Sequence, residues 1–121
     1  ENAASLADFA NLMRHGRVRY VQPSVTKAGG LTGMLEVIAL ARSLGVPVAP
    51  HSPYFGPGLI ATVHLIAALP ESMKLERFYC DLEASPFGEA INAHQGMMEV
   101  PQSPGLGVAV DEGVIARYRV T

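Results

Sequence analysis

Val46-Pro47-Val48-Ala49-Pro50-His51-Ser52-Pro53-Tyr54-Phe55-Gly56-Pro57-Gly58 is the stretch on which the reading of the fold turns. A valine-rich run too short for a helix ends at a histidine, and a loop of proline, glycine and aromatic residues follows. A buried strand delivers a polar side chain to one end of a sheet in this way. Upstream, the apolar spacing of Leu31, Met34, Leu35, Ile38 and Ala41 predicts a helix over 31–43, ended by Gly45. Before it, Ser24 to Gly30 read as a turn closing on Gly29-Gly30, and Val18 to Gln22 as a strand closed by Pro23. A first helix is predicted over 5–15, with Ser5 and Asp8 as a capping box, Leu6, Phe9, Ala10 and Met13 on one face, and Gly16 as the stop. Downstream, Leu59 to Leu69 are apolar almost all round, the pattern of a helix buried on several sides, and Pro70 stops it. Met73 to Glu76 read as a last strand.

Helix and strand alternate through residue 77, which implies parallel β/α units. Ser24, His51 and Glu76 each stand at or just past a strand end, at intervals close to one β/α unit, and Glu1 falls in the same phase. All four are therefore expected at the C-terminal end of one parallel sheet, the rim at which barrel enzymes build their sites. From Phe78 onward proline and glycine become frequent, and the tail reads as a wrap onto another part of the protein. Within it, 96–100 is an edge-strand candidate. Residues 111–118 form a short helix candidate with Val114, Ile115 and Tyr118 on one face.

The composition narrows the function classes. With 121 residues the chain suffices for one modest domain, whereas a whole (β/α)₈ barrel takes roughly 250. Hydrophobic residues at 49% and charged residues at 17% lean toward an interior part of a larger body. A free-standing three-strand module would leave a large apolar face exposed, so the chain alone is expected to be inactive and to fold poorly. Glu1 stands where an initiator methionine would, and we expect protein upstream of it. The net charge of −2 offers no basic footprint for nucleic acid, and no apolar run reaches the roughly 18 residues of a membrane span. The single cysteine, Cys80, excludes an internal disulfide framework and fits a reducing, cytoplasmic compartment.

A carboxylate, an imidazole and a second carboxyl converging on one rim can move protons and bind a hard cation. Histidine titrates near neutrality, and a carboxylate can hold Mg²⁺ through oxygen. Taken singly, each residue has an ordinary reading. His51 is a structural or solvated group, Glu1 a terminal carboxylate, Glu76 half of a surface pair with Arg77, and Ser24 a turn hydroxyl or cap. Lys27 is a turn lysine, Tyr54 loop packing or a lid over a substrate, and His64 a core or supporting residue. Their common phase favours the functional reading.

Glu1-Asn2, Gln22-Pro23-Ser24-Val25-Thr26-Lys27-Ala28-Gly29-Gly30-Leu31-Thr32, Pro50-His51, Leu75-Glu76 and Pro104-Gly105-Leu106-Gly107-Val108 carry a resemblance in their order and spacing. The chain resembles the C-terminal portion of the mandelate racemase / muconate lactonizing enzyme family of the enolase superfamily, over nearly all its length. The resemblance implies an α/β fold, the C-terminal part of a modified TIM barrel of the (β/α)₇β type. Residues 1–77 would run from the end of strand 5 to strand 8, and residues 78–121 would be a tail that packs on a capping domain. It makes Glu1 the third of three acidic Mg²⁺ ligands, His51 the general acid/base, and Glu76 the hydrogen-bonding partner of an enolate oxygen. The family pairs its histidine with an aspartate at the end of the sixth strand. Here that position is Ser24, which carries no charge, so His51 is expected to be a weaker base or to be oriented by another residue. Lys27 would act structurally or electrostatically near the metal carboxylates, and Tyr54 would wall the pocket. The implied activity is Mg²⁺-dependent abstraction of a proton α to a carboxylate through an enediolate, with acid-sugar dehydration first because an uncharged Ser24 weakens a base more than an acid. Racemase, epimerase or cycloisomerase chemistry is the alternative within the family, and a non-catalytic binding or scaffold relative the alternative of another class. The implied partners are a small-molecule carboxylate such as an acid sugar and further copies of the chain in a homo-oligomer.

Overall fold

A computed structural model of the chain describes residues 2–120. The described residues include four α-helices, α1 at Leu6–His15, α2 at Gly30–Ser43, α3 at Pro57–Ala67 and α4 at Glu112–Tyr118, with a 3₁₀ turn at Gly88–Ile91. Helix α1 starts on the predicted capping box. Ser5 Oγ accepts from Asp8 N–H, and the Asp8 carboxylate accepts in return from the Ser5 hydroxyl (2.7 Å) and N–H (3.1 Å). Those hydrogen bonds, the Ser5 hydroxyl first, hold the Asp8 carboxyl below its ordinary value. Phe9 and Met13 are buried as predicted, but Leu6 at the edge of the stripe is exposed.

The turn before α2 is closed by Ser24 O, which accepts from the N–H of Lys27 and Ala28, and by Val25 O, which accepts from Gly30 N–H. Gly29 (φ +85°) and Gly30 (φ +76°) both occupy the left-handed region, and this doublet lets the chain reverse into the helix. On α2 the buried stripe is Met34, Val37, Ile38 and Ala41. Leu31 and Leu35, expected on that stripe, are exposed, so the inward face is rotated toward Val37.

Three extended segments lie side by side and parallel, in chain order, through single pairings of Val21 with Val48 and His51 with Glu76. Val21 N–H donates to Pro47 O, Ala49 N–H to Val21 O, and His51 N–H to Pro23 O. Glu76 N–H donates to Pro50 O, and Ser52 N–H to Glu76 O. The strands predicted over 18–22, 46–49 and 73–76 are thus in place as extended segments, but they do not form continuous ladders. Pro23, Pro47 and Pro50 each fall where a parallel ladder requires an N–H, and each removes one rung.

Helix α3 begins with Pro57 at its first position after the Gly56 cap and ends at Ala67, before Pro70. It is buried on two sides. Leu65 joins Phe9, Met13, Val21, Met34, Val37, Ile38 and Ala41 in one core, while Leu59 and Ile60 pack with Ile91 in a second. Phe55, Leu75, Phe87, Met98, Leu106 and Val108 surround that second core, so the tail covers the other side of α3. An apolar groove of about 640 Å³ lies beside it, lined by Val63, Ile66, Met73, Leu75, Met97 and Met98.

Side-chain links anchor the tail. Arg77 donates to Ile91 O (2.9 Å), Phe78 O (2.7 Å) and Asn92 Oδ1 (3.4 Å), and its guanidinium lies over the Phe55 ring. His64, expected to be a core or supporting residue, is half-buried, and its Nε2 lies 3.1 Å from Leu106 O. The edge strand expected over 96–100 is instead one side of a two-residue hairpin. His94 and Met97 exchange both backbone hydrogen bonds, and Gln95 (φ +51°) and Gly96 (φ +78°) turn the chain, because the loop has no neighbouring strand to extend along. Asp111 caps α4 by accepting from the N–H of Gly113 and Val114. No residue of α4 is fully buried, and Tyr118 donates to Glu83 Oε1 (2.7 Å), a contact that raises the phenol's pKa. Among the described residues no helix is long and apolar enough to cross a membrane.

Candidate functional site

Side chains alternate across an extended segment. Val21, Val48 and Leu75 pack toward the helices, so Gln22, Ser24, His51 and Glu76 stand on the opposite face. The backbone pairing of His51 with Glu76 brings their side chains together, with His51 Nδ1 2.8 Å from Glu76 Oε2. Gln22 Nε2 donates to the same oxygen at 2.7 Å. The imidazole is nearly buried, at 10% side-chain exposure, whereas the Glu76 side chain keeps 44%. The pair thus joins a sheltered ring to a carboxyl that faces the open side of the rim.

A second polar group lies next to it. Ser24 is buried, and its hydroxyl is 2.9 Å from both Thr26 Oγ1 and Tyr54 OH. The Tyr54 ring stands edge-on to the imidazole, with centroids 6.2 Å apart and planes at 81°. Among the described residues Ser24 therefore reaches His51 through Tyr54. The carboxyl of Glu76 lies within hydrogen-bond distance of the imidazole. Tyr54 lies beside the imidazole. Lys27 is exposed and donates to Asn2 Oδ1 at 3.3 Å, which ties the turn to the start of the chain.

Glu1, the expected metal ligand, lies outside the described residues. Among the described residues no group of three or more His, Cys, Asp or Glu side chains could hold a metal ion. The nearest carboxyl, Glu76, is already engaged on one oxygen by Gln22 and His51, so these residues do not by themselves make a Mg²⁺ site. Gln22 and Thr26 lie within the sequence motif, which by itself assigns them no role. Period-two alternation from Ser24 puts Gln22 on the site face, a signal readable in the sequence, whereas its reach to Glu76 depends on how the segments curve.

Compared with known proteins, the sequence matches the enolase C-terminal domain-like family over residues 1–114. The chain belongs to this family. Within it, the mandelate racemase / muconate lactonizing enzyme group supplies the solved structures that resemble it, and the fold is theirs, of TIM-barrel type. The chain is 34% identical over 122 residues to D-gluconate dehydratase of Thermoproteus tenax, covering 98% of the chain and 24% of that protein. It is 32% identical over 120 residues to arabinonate dehydratase of Saccharolobus solfataricus, covering 98% of the chain and 32% of that protein. The solved L-talarate dehydratase of Polaromonas sp. JS666, complexed with Mg and L-glucarate, superposes with a TM-score of 0.74 at 34% identity, covering 96% of the chain and 30% of that structure. The chain thus spans about a third or less of the length of these relatives, which are acid-sugar dehydratases of the enolase superfamily.

Proposed function

We propose that this chain is the C-terminal part of a (β/α)₇β barrel enzyme that removes the proton α to a carboxylate and dehydrates an acid sugar. The observation that carries the reading is the His51–Glu76 pair on the site face of adjoining parallel segments, at 2.8 Å. The dehydratase names of the relatives support the substrate class. In this reading residues 78–121 also meet a capping domain, and the protein is cytoplasmic and homo-oligomeric.

His51 is the catalytic acid/base. It takes the α-proton from the substrate or delivers a proton to the departing 3-hydroxyl, which leaves as water. Glu76 stands beside the oxygen on which enediolate charge develops; a proton on its Oε1 gives the hydrogen bond that lowers the barrier there, and leaves Oε2 as the acceptor. Tyr54 and Ser24 wall the pocket on the side of the imidazole, and Lys27 steadies the turn against the Asn2 segment. Mg²⁺ is the cofactor of this reading, with Glu1 as one carboxylate ligand and the others outside the chain.

The test is a screen of the intact protein against acid sugars with Mg²⁺, and His51→Asn as control. Dehydration by the wild type and its loss in the variant support the reading. Racemisation or cycloisomerisation without water loss replaces it by the sister chemistry. No turnover, with no Mg²⁺ binding by calorimetry, replaces it by a non-catalytic relative.

A further inference from the structure

Ser24 stands where the chain could have offered His51 a carboxylate from the neighbouring segment, and its hydroxyl is engaged with Thr26 and Tyr54 instead. A carboxyl nevertheless meets the ring, from the segment on the other side. We propose that Glu76 is the positioning residue of His51. It fixes the ring's tautomer and aim from the third segment, in place of the position held by Ser24, and Gln22 holds its carboxyl in place. The proposal deepens the reading given under Proposed function and rests on it for the reaction.

Three observations carry it. The backbone builds the pair: Glu76 N–H donates to Pro50 O and Ser52 N–H donates to Glu76 O, so residues 51 and 76 are locked in register with their side chains on one face. A one-residue slip would put them on opposite faces. Next, Glu76 Oε2 receives the Gln22 amide at 2.7 Å and lies 2.8 Å from His51 Nδ1; in the proposed arrangement that oxygen accepts from both, with the proton of the pair on Nδ1. In this arrangement the neutral ring carries its proton on Nδ1, and Nε2 is the nitrogen assigned to the substrate. When Nε2 gains a proton, the resulting imidazolium keeps its Nδ1–H on Glu76, as in other carboxylate–histidine pairs. Finally, Tyr54 stands edge-on to the ring at 6.2 Å and is itself tied to Ser24, so the imidazole is bounded by Tyr54 as well as by Glu76.

The Glu76 side chain is 44% exposed, and an ion pair with such access to water is weak as a source of stability. The effect of Glu76 on the ring is therefore orientation and tautomer choice more than fold stability. This separates it from a merely structural contact.

The test is the nitrogen-15 spectrum of histidine-labelled intact protein, at a pH where the rings are neutral, with His51 assigned by its loss in His51→Asn. The expected wild-type result is a His51 ring protonated on Nδ1. Glu76→Ala is expected to shift it to the Nε2-protonated form, whereas Ser24→Ala is expected to leave it on Nδ1. On an acid sugar that the wild type turns over, Glu76→Ala is expected to lower kcat by roughly a hundredfold or more with little change in KM. A wild-type ring protonated on Nε2 overturns the proposal without any variant, and so does a ring unmoved in Glu76→Ala. The tautomer is read independently of turnover. A protein with the expected tautomer shift and no acid-sugar activity keeps the pair and loses the proposed function; turnover with the wrong tautomer does the reverse.

Discussion

Residues 6–77 and residues 78–118 bury side chains against opposite sides of the same helix, α3, yet they hold their shape differently. The first region rests on regular elements: the capping box of α1, a period-3.6 stripe on α1 and α2, and parallel segments paired backbone to backbone. The second has one 3₁₀ turn, a two-residue hairpin and a seven-residue helix with no buried residue. It is fastened by Arg77 to Ile91, Phe78 and Asn92 and by His64 to Leu106, with Ile91 as the one fully buried apolar plug. The difference teaches where rigidity is required. The site face belongs to the first region, and its side chains are aimed by backbone register. The tail shields α3 and the Phe55 end of the loop that carries Tyr54.

This contrast can be sharpened or broken by experiment on the intact protein. The largest effect is expected from His51→Asn, which should lower turnover by about 10²–10⁴-fold while leaving the melting temperature nearly unchanged. A large loss of stability would mean that the rim is part of the structural core. Phe9→Ala, in the core of the first region, should cost roughly 3–5 kcal/mol by denaturant melting. Ile91→Ala, in the tail's core, should cost about 2–5 kcal/mol. If both variants also expose the same amides to hydrogen exchange, the two regions unfold as one unit and the contrast fails. Arg77→Ala removes several donors and the contact with Phe55, and should cost about 1–3 kcal/mol. Faster exchange should be confined to amides of the tail, with α1 and α2 still protected. The smallest effect is expected from Ser5→Ala, at about 1 kcal/mol. Because the Asp8 carboxyl is held below its ordinary value, its share of the capping box is present above the usual carboxylate range. That share is lost as pH falls through the lowered value, so the difference between wild type and Ser5→Ala should shrink in acid.

Much of the first region was legible because its signals are local. Ser5 and Asp8 announce a helix start within one turn, Gly29-Gly30 a left-handed reversal, and Pro57 a first helical position. The site face was legible in part, since polar residues recurring at strand ends point to one rim. The expected strand ladders were interrupted by the same prolines that the sequence displays, since each removes an N–H from a position where pairing needs one. The tail was less legible, because Arg77 and His64 are ordinary residues until the carbonyls of Ile91 and Leu106 come within reach.

The sequence by itself determined the alternation of helices and extended segments and the phase of Ser24, His51 and Glu76. Periodicity and chain-end signals act within a few residues and need no partner. Only the tertiary structure decided which side chain stands behind His51. Ser24 and Glu76 flank it from opposite neighbouring segments. The parallel register, Tyr54 engaging Ser24, and Gln22 reaching Glu76 bring the carboxyl within hydrogen-bond distance of the imidazole. Hydrogen bonds between residues distant in the chain depend on separations of a few tenths of an ångström, which the packing of the segments fixes and the order of residues alone does not.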